Sequence, residues 1–424
     1  MNLLAPARST CAFLSALYLL AGLPATAQDH PAPSKERIFP LDSQHNHAPG
    51  IVELSDGQFL VSWFRGSGER KSDDVRVLGS RKPAPVSAPA PVSAAPPAEN
   101  PDSNSDSKTS RSNGAWSKPF TMVDTDGFPD CNTSMMIDPD GKLMLFWPVI
   151  LANTWESAIT NYLVSEDYLG PGVPKWQARH WLLMKPDDFS TEARNYLERF
   201  RQDKTVPLTE SQLQVIANIE AKLDDKLSQR LGWQPRCKPT LLRSGRLILP
   251  LYSDTYSISM MAISDDQGKS WRASGPLLGF GNIQPSVLER SDGTLVAYMR
   301  ENGATGRVRA CESNDSGLTW GEIYSTPLHN PGSGLDGLRL TSGNWVLIYN
   351  DTTDGRHRLA LSMSDDEGKT WKWTKHLEDE EGKSFHYPAI IQSRDGNLHA
   401  VYSYFEPGGK SIVHACFTED WIRN

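Results

Sequence analysis

The chain has 424 residues, 38% of them hydrophobic and 22% charged, with a formal net charge of −8. That is enough apolar material for one large domain. An acidic balance with no basic cluster excludes nucleic acid and anionic membrane surfaces as partners. What remains is a neutral ligand, or an anionic one held in a local basic pocket.

Residues 1–27 read as an export signal peptide, with Arg8 in a short polar start, an apolar stretch from Cys11 to Leu23, and the small residues Ala25-Thr26-Ala27 at a cleavage point. The expected consequence is a secreted or periplasmic chain, residues 28–424, with no membrane span in its mature part. Four cysteines then remain. Cys131 and Cys237 each precede an inner strand and are candidates for a disulfide.

From residue 51 onward, strand-turn-strand units follow one another. They run from Ile51 to Phe64 around Asp56-Gly57, Met135 to Val149 around Asp140-Gly141, and Thr240 to Tyr252 around Ser244-Gly245. Three more run from Pro285 to Met299 around Asp292-Gly293, Gly337 to Tyr349 around Ser342-Gly343, and Ala389 to Tyr404 around Asp395-Gly396. Asp-Gly between apolar runs is a strong hairpin signal. Two insertions interrupt the series. Residues 82–112 are Pro/Ala/Ser-rich and then Ser/Asp/Asn-rich, a composition that cannot bury a core and is expected to be disordered. Residues 186–231 carry helical periodicity, with Ala193, Tyr196, Leu197 and Phe200 on one face and Leu213, Ile216, Ile219, Leu223 and Leu227 on another. A helical hairpin lying on the domain, or a lid over a pocket, fits that pattern.

A second pattern repeats between the hairpins: Ser264-Asp265-Asp266-Gln267-Gly268-Lys269-Ser270-Trp271, then Ser313 to Trp320, then Ser364 to Trp371, with starts 49 and 51 residues apart. The Asp and Gly suit a tight turn, and the closing Trp is expected to pack back across the hairpin. Degenerate copies occur at Ser80-Arg81, resumed at Gly114-Ala115-Trp116, and from Ser165 to Trp176. A period near 50 with six hairpins gives an all-β, six-bladed β-propeller with a helical insertion and a disordered Pro/Ala/Ser loop. The ring is expected to close by strand exchange between the two chain ends.

Repeated Asp boxes on six blades resemble the sialidase (neuraminidase) superfamily, over residues 45 to 420. The opening His47-Ala48-Pro49 and the element Tyr387-Pro388 resemble its bacterial predicted-neuraminidase branch, whose activities are diverse. The resemblance implies a carboxylate gripped by three arginines, an acid/base aspartate, and a tyrosine nucleophile activated by a glutamate. Guanidinium forks match a carboxylate, and a phenol is born neutral, which avoids repelling an anionic sugar. Carried over by position, Tyr387 is the tyrosine, Arg300 the second arginine, Arg356 the third, and Asp74 the acid/base, with Asp73 as its rival. Two positions depart from the pattern. His47 stands where the first arginine belongs, since Arg37-Ile38-Phe39-Pro40 lies too far upstream, and Gln284 stands where the activating glutamate belongs.

Other polar residues fall where loops enter or leave inner strands: Arg65 and Glu69, Asp130 and Asn132, Arg236, and Asp336. Together they suggest a pocket on the propeller axis. Metal-ligand spacing of the His/Cys type, a phosphate loop and a Ser/His/Asp constellation are all missing, so neither metal nor cofactor is expected. The expectation is a monomeric, secreted, exo-acting glycoside hydrolase acting on a terminal acidic sugar of a glycan, sialic or uronic. Arg300, Arg356 and Arg236 would grip the carboxylate, with Arg65, Gln284 and Asp336 as further binding residues. Asp74 or Glu69 would donate the proton, Tyr387 would be nucleophile or stabiliser, and His47 would also act. A lyase on uronic-acid polysaccharide, using His47 and Tyr387, and a non-catalytic carbohydrate-binding propeller are the alternatives.

Overall fold

A computed structural model of the chain describes residues 32–84, 114–202, 209–279, 281–303 and 305–424. The expected signal peptide, and the low-complexity insertion beyond residue 84, lie outside the described residues. Among the described residues, twenty-five strands form six antiparallel sheets, five of four strands and one of five, each a propeller blade. The inner strands are His45–Glu53, Ser134–Ile137, Asn282–Glu289, Asp336–Arg339 and Ser384–Gln392 in blades 1, 2, 4, 5 and 6. In blade 3 two short pieces, Trp233–Pro235 and Thr240–Leu241, share that place and both pair with Leu247–Ser253.

Blade 4 shows how sequence makes a blade. After Asn282–Glu289, Arg290 N–H donates to the Thr294 carbonyl at 2.8 Å and Thr294 N–H to Asp292 Oδ1 at 2.9 Å. Gly293 takes the φ of 93° that closes the turn, a conformation costly for any residue with a Cβ. Leu295–Glu301 returns, Arg307–Ser313 descends, and the box turn leads into the outer strand Tyr324–His329. Leu295 pairs with Ser313, which puts the hairpin turn and the box at the same end of the blade.

The three boxes make one set of bonds. Ser264 Oγ meets Asp266 Oδ1 at 2.8 Å and accepts from Gly268 N–H at 2.8 Å, while Asp266 accepts from Ser270 N–H and Oγ at 2.9 and 2.5 Å. Ser313/Asp315/Thr319 and Ser364/Asp366/Thr370 repeat it. Contrary to expectation, the box tryptophans pack between blades rather than across their own hairpin. Trp271 meets Phe146 and Tyr162 of blade 2, Trp320 lies against the core shared by blades 3 and 4, and Trp371 meets Tyr298 of blade 4. The degenerate copies keep the serine, as Ser80 Oγ bonds the Ser117 carbonyl across the insertion and Ser165 Oγ bonds the Lys175 carbonyl.

The ring closes through the N-terminal strand Ser34–Arg37, which pairs antiparallel with Gly409–Phe417 as the outermost strand of blade 6. Glu36 accepts from His414 Nδ1 at 3.0 Å and pairs with Lys82, so the joint is tied to blades 6 and 1.

The insertion forms α1 (Phe189–Gln202), α2 (Glu210–Lys222) and α3 (Lys226–Arg230). Phe189, Ala193, Leu197, Ile216, Ile219 and Leu223 pack on Trp233, Tyr256 and Ile258, so the hairpin rests on the flank of blades 2 and 3. Leu213 and Leu227, which the periodicity puts on one face with Ile216, Ile219 and Leu223, are exposed. Among the described residues, no helix is long and apolar enough to cross a membrane.

Candidate active site on the propeller axis

At the end of the blades away from the boxes, the inner strands do not run straight. Those of blades 1, 4 and 6 slip register between His47 and Gly50, Ile283 and Ser286, and His386 and Ala389. Each slip holds a non-glycine residue in the left-handed region followed by a proline: Ala48 (φ 53°) before Pro49, Gln284 (φ 57°) before Pro285, and Tyr387 (φ 46°) before Pro388. A proline has no N–H to lose from the ladder, so it suits a bulge. Asn132, at φ 38°, precedes the inner strand of blade 2. Each such residue costs about 1–3 kcal/mol, and strain of this kind concentrates at functional sites. Bulges re-aim side chains, and here they gather at the axis.

Tyr387 is the centre of the group. Its Oη accepts from Arg300 Nη1 at 2.8 Å and from Gln284 Nε2 at 3.3 Å, two donors that support negative charge developing on that oxygen. Its ring is stacked on His47 at 4.4 Å and lies under the guanidinium of Arg236 at 4.9 Å and that of Arg356 at 5.8 Å. A side chain on Gly334 would overlap the ring, so this glycine makes room for it. Arg236 is buried, donates to the Pro388 carbonyl at 3.1 Å, and leaves Nε without a partner. Arg356 donates to the Gly332 carbonyl at 2.9 Å and contacts His386 Nδ1 at 2.6 Å. Because a guanidinium only donates, His386 Nδ1 accepts; burial and then Arg356 hold that ring well below its ordinary pKa and neutral. His47 is likewise kept neutral, first by burial and then by the facing His386, His45, Arg356 and Arg236.

A cavity of about 140 Å³ opens beside this group. Of the residues expected from sequence, Tyr387, Arg300, Gln284, His47, Glu69 and Asn132 line it. Arg236 and Arg356 back it through the tyrosine ring. The remaining expected residues lie elsewhere. Asp74 accepts from Ser67 N–H and Oγ at 3.0 and 2.8 Å and so caps the turn of its own loop, while Asp73 accepts from Asn153 at 2.8 Å. Arg65 pairs with Asp42 at 2.7 Å in a separate groove beside Phe39 and Trp63. Asp336 is buried and accepts from Lys238, Ser286, Ile390 N–H and Gly337 N–H at 2.6 to 3.0 Å, which ties four blades together at the axis. Asp130 accepts from Trp147 Nε1 at 2.7 Å and from Thr125. Arg37 pairs with Glu406 in the closing strand.

Three lining residues escaped the sequence reading: Trp155, Tyr252 and Asp254. A signal existed for the last two. Tyr252-Ser253-Asp254 ends the second strand of blade 3, the same place that marks Arg300 in blade 4 and Arg65 in blade 1.

The two lining carboxyls differ sharply. Burial raises Glu69, but the adjoining His45 and the charges of Arg70 and Arg356 outweigh it and hold its carboxyl below the usual range. Burial pushes Asp254 up to about 6, only partly opposed by Arg300 and Arg70 and reinforced by Glu156.

His45, His47 and Glu69 each offer one ligand atom within a 4.8 Å span, the set among the described residues that could hold a metal ion. His45 Nε2 lies 3.0 Å from Glu69 Oε1 but off the N–H direction, so this is a charge contact rather than an aligned hydrogen bond. Lys410 Nζ stands 3.3 Å from His45 Nδ1, and Arg70 Nη1 3.6 Å from Glu69 Oε2. These cations oppose a dication there. Cys131 and Cys237 are both free thiols, so the candidate disulfide does not form. The Cys237 thiol donates to the Leu335 carbonyl at 3.1 Å, and Cys131 packs among Ala48, Phe64 and Ile150.

A family model described as a BNR repeat-like domain matches residues 229–400. The chain is 27% identical over 169 residues to a sialidase of Micromonospora viridifaciens, a match covering 38% of this chain and 25% of that one. It is 23% identical over 193 residues to an anhydrosialidase of Macrobdella decora, covering 40% and 25%. The matched part thus spans a quarter of those relatives. Among solved structures, a protein of unknown function from Dyadobacter fermentans superposes with a TM-score of 0.62 at 14% identity, covering 92% of this chain and 99% of the other. A Trypanosoma rangeli sialidase in complex with the inhibitor DANA gives 0.60 at 13% identity, covering 92% and 60%. At such identities the structural likeness shows the fold. Taken with the boxes and the six blades, the chain is a six-bladed β-propeller with a BNR repeat-like domain over residues 229–400, and it is similar in sequence and fold to sialidases.

Proposed function

We propose that the protein is an exo-acting glycoside hydrolase that removes a terminal acidic sugar, sialic or uronic, from a glycan outside the cytoplasm. The observation that carries this reading is Tyr387, strained into the cavity with Arg300 on its hydroxyl and Arg236 and Arg356 over its ring. Guanidinium groups around a phenol suit a carboxylate-bearing sugar whose anomeric carbon faces that oxygen. The cavity is small beside typical ligand pockets of roughly 300–1,000 Å³, which favours one terminal residue over a polymer segment. Digestion of a glycan library with mass-spectrometric readout, run beside Tyr387→Phe, tests it. Release of one acidic monosaccharide by the wild type and its loss in the variant are expected. Identical behaviour of the two proteins on every glycan would sink the reading.

A second reading, β-elimination on a uronic-acid polysaccharide, is favoured by the neutral His47 stacked on Tyr387. A neutral imidazole beside a phenol and cationic arginines supplies a base, a proton donor and charge neutralisation. An unsaturated, ultraviolet-absorbing product in the same digest identifies it. Binding with all glycan recovered intact identifies a carbohydrate-binding propeller instead.

A further inference from the structure

We propose that Asp254, on blade 3, is the acid that protonates the departing sugar oxygen; the inference rests on the hydrolase reading above. Two carboxyls line the cavity, and their surroundings assign them different work. Glu69 sits against His45 and Arg70, which hold it ionised, so it has no proton to give. Among the described residues, Asp254 receives one side-chain hydrogen bond, from Gln234 Nε2 to Oδ2 at 3.3 Å. Gln234 is itself fixed by Asn132, whose Nδ2 reaches its Oε1 at 3.5 Å and Tyr252 Oη at 3.1 Å. Oδ2 of Asp254 is thus anchored by an amide pair, and among the described residues Oδ1 takes no side-chain hydrogen bond while the residue lines the cavity. Burial keeps this carboxyl protonated into the mildly acidic range. Two acids whose environments push their pKa values apart identify the donor and the permanently charged partner. Asp74 fits the donor role poorly, because Ser67 occupies its carboxylate.

The step balances with water as co-reactant. The Asp254 carboxyl gives its proton to the glycosidic oxygen as the bond from that oxygen to the anomeric carbon breaks, the bonding pair going to the oxygen. Tyr387 faces the cationic carbon. Water then adds to that carbon, and its surplus proton returns to the Asp254 carboxylate, which restores the acid.

A proton donor matters most when the leaving group is poor. The test compares wild type with Asp254→Asn on two probes that share one sugar, 4-nitrophenyl α-N-acetylneuraminide and 3′-sialyllactose, or the corresponding aryl and alkyl glucuronides. For the variant, kcat on the natural linkage should fall on the order of 10²–10⁴-fold while the aryl glycoside loses less than about tenfold. Equal losses on both probes, or no loss on either, overturn the assignment while leaving the hydrolase reading standing. A wild type active on neither pair takes both down. The wild-type profile is a second readout that needs no variant. With the natural linkage, kcat should decline as pH rises through about 6, where Asp254 loses its proton. A profile flat from pH 5 to 8 overturns the proposal.

Discussion

At the box turns of blades 3, 4 and 5, Ser264, Ser313 and Ser364 make matching bonds to an aspartate and to a glycine N–H, within about a tenth of an ångström of one another. At the other end of the blades, Ala48, Asn132, Gln284 and Tyr387 share a strained backbone but no chemistry. The box end repeats one solution because its task, turning a strand and stapling it to the preceding blade, is the same each time. The axis end varies because its side chains meet different neighbours around one cavity. Left-handed non-glycine residues occur at both ends, with Gln267, Ser316 and Glu367 at one equivalent place in the three boxes, but at the axis they aim different side chains towards one cavity.

Substitutions on each side should separate the two ends. The largest expected effect is at the axis: Tyr387→Phe lowers kcat/KM on the order of a thousandfold, about 4 kcal/mol of transition-state stabilisation, with thermal unfolding unchanged. A variant that unfolds early instead would make the tyrosine a packing residue. On the box side, Gly368→Ala should destabilise by about 3 kcal/mol in denaturant melts, since φ is 83° there and a methyl would overlap Tyr298 and Trp345. Activity per folded molecule should stay level.

Asp254→Asn gives an intermediate effect with a distinctive pH sign. The folded value of about 6 lies above the ordinary 3.8, so the stability this carboxyl supports is present at low pH and is lost as pH rises through about 6. The variant should therefore gain about 2 kcal/mol on wild type between pH 4 and pH 8, measured by urea unfolding at both. A constant difference would remove the buried-acid argument. Asp366→Ala breaks the links to Ser364 and Thr370 at a largely exposed turn and should cost about 1 kcal/mol without touching kcat. Smallest of all, Arg65→Ala breaks a half-buried pair with Asp42 at the edge of its groove and should cost under about 1 kcal/mol and leave KM unchanged. A rise in KM would return Arg65 to the site.

The blades were legible because each hairpin announces itself with a turn residue between apolar runs, and Asp292-Gly293 folds as that pattern demands. Tyr387, Arg300, Gln284, His47 and Glu69 were also found, since register within a repeat predicts which end of a strand meets the axis. What failed was direction. Arg65 and Arg300 occupy equivalent places, but a carboxylate at Asp42 draws one away while Tyr387 Oη holds the other. Asp336 looked like a ligand group because nothing local reveals that Lys238, Ser286 and Ile390 from three other blades converge on it. The bulges at Ala48, Gln284 and Tyr387 do leave a trace, a proline immediately after each in an inner strand.

The joint between Ser34–Arg37 and the strand ending at Phe417 has a consequence for how the protein is made. Its partners are far apart in sequence, so the last blade cannot close until Gly409–Phe417 has emerged, while five blades stand as an open arc. A chain truncated before Phe417 keeps two raw sheet edges and sticks to its neighbours. The ring therefore works as a check on its own assembly, in which neither strand edge is hidden until its distant partner is present.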